Sequence, residues 1–151
     1  MATWASLTIC EKADVARRYP SLSDALDNFW VEDDDDDDGI GTHALAKKWI
    51  EDNLKTRYES LQYQREQTEG DDYYLFDHIS NPTIMLECAI ENVIARLLDN
   101  MSLSYEDVHS KTANDHWHKA EKQLTRVIEQ LRFDDVDGVH DTIQGEYTLV
   151  R

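Results

Sequence analysis

The chain has 151 residues, 40% of them hydrophobic and 31% charged, and a net charge of −17. That length suits one domain with a modest core of its own, and the scarcity of glycine (five) and proline (two) favours long regular segments. The charge gathers at the ends, −8 over residues 1–40 and −4 over 134–151 against −3 over 41–80 and −2 over 81–133, a distribution that repels nucleic acid and excludes tight binding of DNA phosphates.

The first expected helix lies in "LTICEKADVARRYP", where Thr8 and Glu11 have the spacing of a capping box. Ile9, Ala13, Ala16 and the Tyr19 ring share one side of it, and Pro20 ends it. A short second helix covers "SDALDNFW", with Ser21 or Ser23 as cap. Next comes "WVEDDDDDDGIG": six adjacent like charges on a poor helix former predict a loop over residues 32–41. Thr42 then caps a long amphipathic helix, "HALAKKWIEDNLKTRYESLQYQRE", with Leu45, Trp49, Leu54, Tyr58 and Leu61 as its apolar stripe.

"EGDDYYLFDHIS" reads as an extended connection rich in aromatics. Asn81 at the cap and Pro82 in the first turn open "TIMLECAIENVIARLLDNM", apolar over more than half its circumference and so the expected central helix. "SLSYEDVHSK" is a link with one turn started by Ser104. Thr112 or Asn114 starts the last long helix, carrying Trp117, Ala120, Leu124, Val127, Ile128 and Leu131 on one side, and the helix stops at "FDDVDG". The tail, "VHDTIQGEYTLVR", has β-branched and aromatic residues around Gly145 and reads as extended chain. Tyr147, Leu149 and Arg151 would share one face of it. The fold class expected is mainly α: a small helical bundle over residues 1–141, with an acidic loop at 32–41 and an extended tail at 142–151.

Cys10 and Cys88 form no C-x-x-C pair, which argues against a disulfide framework or a thiolate zinc site and suits a reducing compartment. Cys88 reads as a small core residue. The N-terminus has no basic start followed by an apolar run, and no apolar stretch approaches the roughly 20 residues of a membrane helix. Placing Gly138 at the sixth position of a calcium loop puts Phe133 and Gln144 at its ends, and neither is a carboxylate, so "DVDG" reads as a chain-reversing turn. His116 and His118 point about 200° apart on a helix and cannot share a metal. Glu87 and Glu91 sit four apart but lack the Glu-x-x-His of a di-iron bundle, and read as a solvated edge. H-E-x-x-H, G-x-S-x-G and phosphate-loop motifs do not occur. No cofactor or enzymatic activity is expected.

Three segments in order, "AKKWIEDNLKTRY" (Ala46 to Tyr58), "NPTIMLECAIENVIARLL" (Asn81 to Leu98) and "WHKAEKQLTRVIEQLRFD" (Trp117 to Asp134), together resemble the head-to-tail connector (adaptor) proteins of tailed bacteriophages over roughly residues 42–140. In that family a helix ending in Arg-Tyr precedes an Asn-Pro turn into an apolar helix, and an aromatic-x-x-Ala helix runs into an acidic, glycine-containing turn. The resemblance implies a structural virion protein of the neck, assembled in the host cytoplasm. It would form a homo-oligomeric ring, usually of twelve, beneath the portal and above a tail or neck protein, lining the DNA passage without gripping it. Family tails commonly reach into the portal, a role that here falls to Ile143, Tyr147, Leu149 and Val150. The run Asp33, Asp34, Asp35, Asp36, Asp37 and Asp38 is not part of the family pattern; facing the channel it would repel phosphate, and facing out it would serve solubility. The rival reading is a small acidic inhibitor or DNA mimic that blocks a host DNA-binding defence protein. A third, a carboxylate-metal enzyme, has the least behind it.

Overall fold

The computed structural model describes residues 3–33, 40–102 and 108–134. Six α-helices account for most of them: α1 (Lys12–Arg18), α2 (Ser23–Phe29), α3 (Thr42–Lys55), α4 (Glu59–Glu69), α5 (Leu86–Met101) and α6 (Val108–Gln130). Short 3-10 turns at Pro20–Leu22, Leu75–His78 and Pro82–Met85 connect them. Among the described residues there is no strand, only one isolated antiparallel bridge between Ile79 and Phe133. The chain is a mainly α bundle, as its apolar periodicity implied. No described helix is long and apolar enough to cross a membrane. The expected turn at Ser104, residues Asp34 to Asp38 and the whole tail of 142–151 lie outside the described residues.

The centre is α5. Ten of its sixteen residues are buried, from Cys88 through Leu98, because apolar side chains cover more than half its circumference. It packs mainly on α6, then on α3, with α1 and α2 closing the remaining side. Val15, Leu26, Ile50, Leu54, Ile94, Leu97 and Val127 supply the deepest side chains.

Several boundaries differ from the sequence expectations, each for a local reason. The first helix starts one turn later: Glu11 stands at the cap and its N–H donates to Asp14 Oδ2 at 2.9 Å, a box shifted three residues from Thr8. Val15, not Ala13, is its buried residue. Neither Ser21 nor Ser23 caps α2, since the Pro20–Leu22 turn leads directly into it. Thr42 is the first residue of α3 rather than its cap, and its hydroxyl accepts the Val31 N–H at 2.8 Å. The buried stripe of α3 is Ala46, Ile50 and Leu54, one position on from Leu45 and Trp49.

The long helix expected over residues 43–66 is two. Arg57 N–H and Tyr58 N–H both donate to Leu54 O, at 3.1 and 3.2 Å, and the chain turns there. Tyr58 is driven inward, its ring 4.9 Å from that of Phe133. No residue of α4 is buried, so there was no apolar stripe to hold it in line with α3. Gln62 ties it down instead, donating to Tyr73 O at 2.6 Å and accepting from Leu75 N at 2.7 Å. The last helix is already formed at Val108, and the Thr112 hydroxyl bonds back to Val108 O at 2.8 Å rather than capping. Asn81 caps not its own helix but the end of α6, donating to Gln130 O and accepting from Arg132 N, both at 2.8 Å.

Ile94 is fully buried at the centre of α5. Ile94→Ala should lower stability by about 2–5 kcal/mol, seen in urea denaturation as a lower midpoint with an unchanged slope.

Candidate functional site

Three polar clusters stand out, each joining segments distant in sequence. The first lies inside the bundle. Glu91, on the most apolar helix, is 4% exposed and His116, on α6, is 6% exposed. Glu91 Oε2 meets His116 Nδ1 at 2.5 Å, and the Tyr19 hydroxyl donates to Glu91 Oε1 at 2.5 Å. The Tyr19 ring meets the imidazole edge-on at 5.2 Å. Burial, then the hydrogen bond to Glu91 and its negative charge, push the Tyr19 phenol above its ordinary range. The expectation that Glu87 and Glu91 form a solvated edge therefore fails at Glu91. Glu87 does lie at the surface, with Arg18 3.8 Å away. His118 is exposed and points away from His116, as a two-residue helical offset requires.

The second cluster fixes the N-terminal turn. Lys47 Nζ donates to the carbonyls of Trp4, Ala5 and Leu7 at 2.8, 3.1 and 3.0 Å. Burial lowers its pKa although Asp33 and Glu51 oppose the shift. Trp4 N donates to Asp77 Oδ1 at 2.6 Å and its indole N–H donates to Glu51. One ammonium thus terminates three main-chain acceptors that would otherwise be desolvated.

The third cluster closes the acidic loop. Thr42 N–H donates to Val31 O at 2.8 Å, pairing the two ends. Asp33 turns back, accepting the Gly41 N–H at 2.7 Å on Oδ1 and facing His43 Nε2 at 2.5 Å with Oδ2. Partial burial works to raise the Asp33 carboxyl, but those two partners outweigh it and hold it below the usual range. A side chain on Gly41 would stand 2.5 Å from Asp33 Oδ1 and 2.9 Å from Val31 O, so only glycine fits. Of the six aspartates proposed as a repulsive surface, Asp33 is a loop anchor; Asp34, Asp35, Asp36, Asp37 and Asp38 lie outside the described residues, as do Ile143, Tyr147, Leu149 and Val150.

Cys10 and Cys88 are free thiols, both buried. Burial, reinforced by nearby carboxylates, pushes each up to about 12, so they stay protonated and unreactive in the native state. A pocket of about 350 Å³ is lined by Thr8, Cys10, Lys12, Trp30, Glu32 and His43 among others. Trp30 Nε1 and His43 Nδ1 lack a protein partner, but both are shielded from solvent and so from any ligand there. A second, aromatic pocket of about 350 Å³ lies where α3 meets α4, between Tyr58, Tyr74, Leu75 and Phe76. Among the described residues no group of three or more His, Cys, Asp or Glu could hold a metal ion.

The stripe assigned to the last helix began at Trp117 and so stepped past His116. A polar residue in register with Ala113 and Ala120 was the available signal for it, and Glu91 between Cys88 and Ala95 was its counterpart on α5. Nothing in the sequence pointed to Lys47 or Gln62, whose distant partners are main-chain groups. No family model, curated protein or solved structure matches this chain.

Glu91→Ala should cost about 1–3 kcal/mol for each of the two buried partners it strands, His116 and Tyr19, and Tyr19→Phe about 1–2 kcal/mol. Replacing Glu91 and His116 together by Met and Leu should cost less than Glu91→Ala alone. Urea denaturation of the three variants checks the order.

The thiols generate a pH dependence of definite sign. Their folded values of about 12 exceed the ordinary 9.0, so they contribute stability that is intact below pH 9 and lost as pH rises toward 12. Lys47, shifted downward, acts in the opposite direction. The thiol contribution is therefore read as the difference in alkaline stability loss between the native chain and a Cys10→Ala/Cys88→Ala variant, which should lose less. At pH 8 a thiol reagent should label neither cysteine before urea is added and both afterwards.

Proposed function

We propose that this chain is a structural virion protein: a head-to-tail connector that assembles as a ring beneath the portal of a tailed bacteriophage and surrounds the DNA passage. The observation that carries the reading is the order of elements on one bundle. Arg57-Tyr58 follows α3 at the turn into α4, an Asn81-Pro82 turn then leads into the most buried helix, and a helix carrying Trp117 and Ala120 comes last. α4 adds to it, since its outer side has no buried residue and carries Tyr63 at 63% exposure, a surface suited to a neighbouring subunit.

The electrostatics suit such a role. A ring of twelve such chains would carry a charge of roughly −200 before counterions, scaled from −17 per chain, and repel DNA over about 8–10 Å at physiological salt. A passage that held DNA through phosphate contacts would slow its exit. The same charge opposes ring closure, so subunit contacts must be apolar or well paired. The tail residues Ile143, Tyr147, Leu149 and Val150 are the proposed anchors to the portal, and the acidic loop the proposed repulsive surface.

Mixing the purified chain with the portal encoded in the same genome tests this directly. Light scattering and two-dimensional class averages should show a ring seated on the portal, and removing residues 142–151 should weaken docking by at least about tenfold, the loss of one or more buried apolar anchors. A folded chain with no affinity for portal would sink the proposal. Tight monomeric binding to a basic host protein, lost when the Asp run becomes Asn, would transfer the function to the acidic-inhibitor reading.

A further inference from the structure

The aromatic pocket at the α3–α4 junction is defined by what its polar groups have left to offer. Tyr58, Tyr74 and Phe76 line it, the exposed Lys55, Thr56 and Glu59 border it, and its volume of about 350 Å³ is in the range of small-ligand pockets. Its donors are largely committed to the fold. Gln62 spends its amide hydrogens on Tyr73 O at 2.6 Å and Glu66 Oε1 at 2.7 Å. The Tyr58 hydroxyl donates to Ile128 O at 3.4 Å, and the Tyr74 hydroxyl is hydrogen-bonded to Glu51. Glu51 also holds the Lys55 ammonium at 3.0 Å. What remains for a ligand is three aromatic rings and the carboxylate of Glu59, which no ion pair holds among the described residues.

The field around these rings is negative. Burial, then Glu51 through its charge and hydrogen bond, then Asp77 and Asp52, hold the Tyr74 phenol above its ordinary range. Among the described residues that line the pocket Lys55 is the one cation, and the two other cations of this stretch, Arg57 and Arg65, are already engaged. The same character continues along α4. Tyr63, 63% exposed, lies one turn beyond Glu59, about 6 Å along the axis, and Glu66 follows on that side.

We infer that this pocket docks an arginine side chain carried on a basic segment of a partner protein, the guanidinium lying among Tyr58, Tyr74 and Phe76 and facing Glu59. The occupant must bring positive charge, N–H donors and a flat apolar surface. A guanidinium has all three: it stacks on aromatic rings, is more weakly hydrated than an ammonium, and pairs with a carboxylate through two parallel N–H donors. Two extended residues beside it span about 6–7 Å, enough to cover Tyr63, which a free small cation would leave in water. A second copy is the poorer occupant, because two chains of −17 repel. The inference does not rest on the connector reading, since the isolated chain has the pocket whichever assembly it joins.

Titrating the isotope-labelled full chain with the capped peptide Gly-Gly-Arg-Gly-Gly, followed by amide NMR, tests it. Signals from residues 54–62 and 73–76 should shift with half-saturation on the order of 10 mM, as one cation–π contact and one charged hydrogen-bonded pair would give. The lysine peptide, of equal charge, should bind about fivefold more weakly, and the neutral citrulline peptide should give no saturable shift. Glu59→Gln should weaken arginine binding about tenfold, and Thr56→Trp, which fills the pocket from its border, should abolish it. Both positions are exposed, so the urea midpoint should stay in place. Methylguanidinium should bind about threefold more weakly than the arginine peptide, and Tyr63→Ala should remove that difference. No saturable shift, binding that survives Thr56→Trp, or equal shifts with lysine spread over the acidic surface would overturn the inference. So would methylguanidinium matching the peptide, which makes the pocket a small-cation site, or pocket signals that move with protein concentration alone, which gives it to a second copy.

Discussion

Glu91 sits in the middle of the most buried helix of the chain, and its carboxylate is tolerable there only because two other segments deliver partners to it. An isolated carboxylate in that position would be expelled or protonated. His116 comes from α6 and Tyr19 from the residue after α1, each at 2.5 Å. Once the three meet, the relative rotation of α5 and α6 is set, because a helix turned by one residue would carry His116 some 100° away from Glu91. The same contact fixes the end of the N-terminal segment against α5. Apolar burial supplies most of the free energy of the bundle, but it is non-directional, and α5 is apolar over so much of its surface that it could be packed in several ways. The polar contact removes that freedom.

The other two clusters extend the same logic outward. Lys47 gathers three carbonyls of the N-terminal turn, and Trp4 is held from two further directions by Glu51 and Asp77. With Tyr19 at the other end, residues 3–19 are pinned to the bundle at both extremes by buried polar contacts, with Cys10 and Val15 packed between. The acidic loop is handled similarly. Adjacent carboxylates repel, and a loop of this kind tends to pull its ends apart. The Val31–Thr42 pairing and the return of Asp33 to Gly41 and His43 hold both ends at the start of α3.

The sequence made the helical class legible because apolar periodicity survives in every core helix, and α5 announced its place by having too many apolar positions for a surface helix. What escaped was set by contacts between distant residues. The break between α3 and α4 carries no Gly or Pro; it arises because Tyr58 finds Phe133, seventy-five positions along the chain, and because α4 has no stripe to bury. Asn81 has the composition of a helix start, and its role at the end of α6 depends on how the two helices are brought together. Glu91 and His116 were each visible as ionisable residues, but a pair separated by twenty-five positions on different helices becomes a pair only when the rotation of both is known. The stripe expected on α6 was right from Ala120 onward, and starting it at Trp117 instead of His116 was enough to hide the pair.

Charge imposes the remaining constraint on what this fold can do. Eleven acidic and three basic side chains fall in residues 1–40, and the lysine and arginine ion pairs described there are at the surface: Lys12 with Asp27, Arg17 with Asp14, Arg18 with Glu87. Such exposed pairs contribute little, so the acidity is left to act at a distance. Any partner of this surface must bring positive charge, cations or an apolar face able to outweigh the repulsion. The described molecule offers an apolar recess at the α3–α4 junction and an aromatic pair, Trp49 and Trp117, 6.0 Å apart with Arg96 over the second ring. Both lie in the part of the chain whose charge is nearly balanced. An apolar contact is therefore least opposed by charge in the middle of the sequence and most opposed at the acidic N-terminal end.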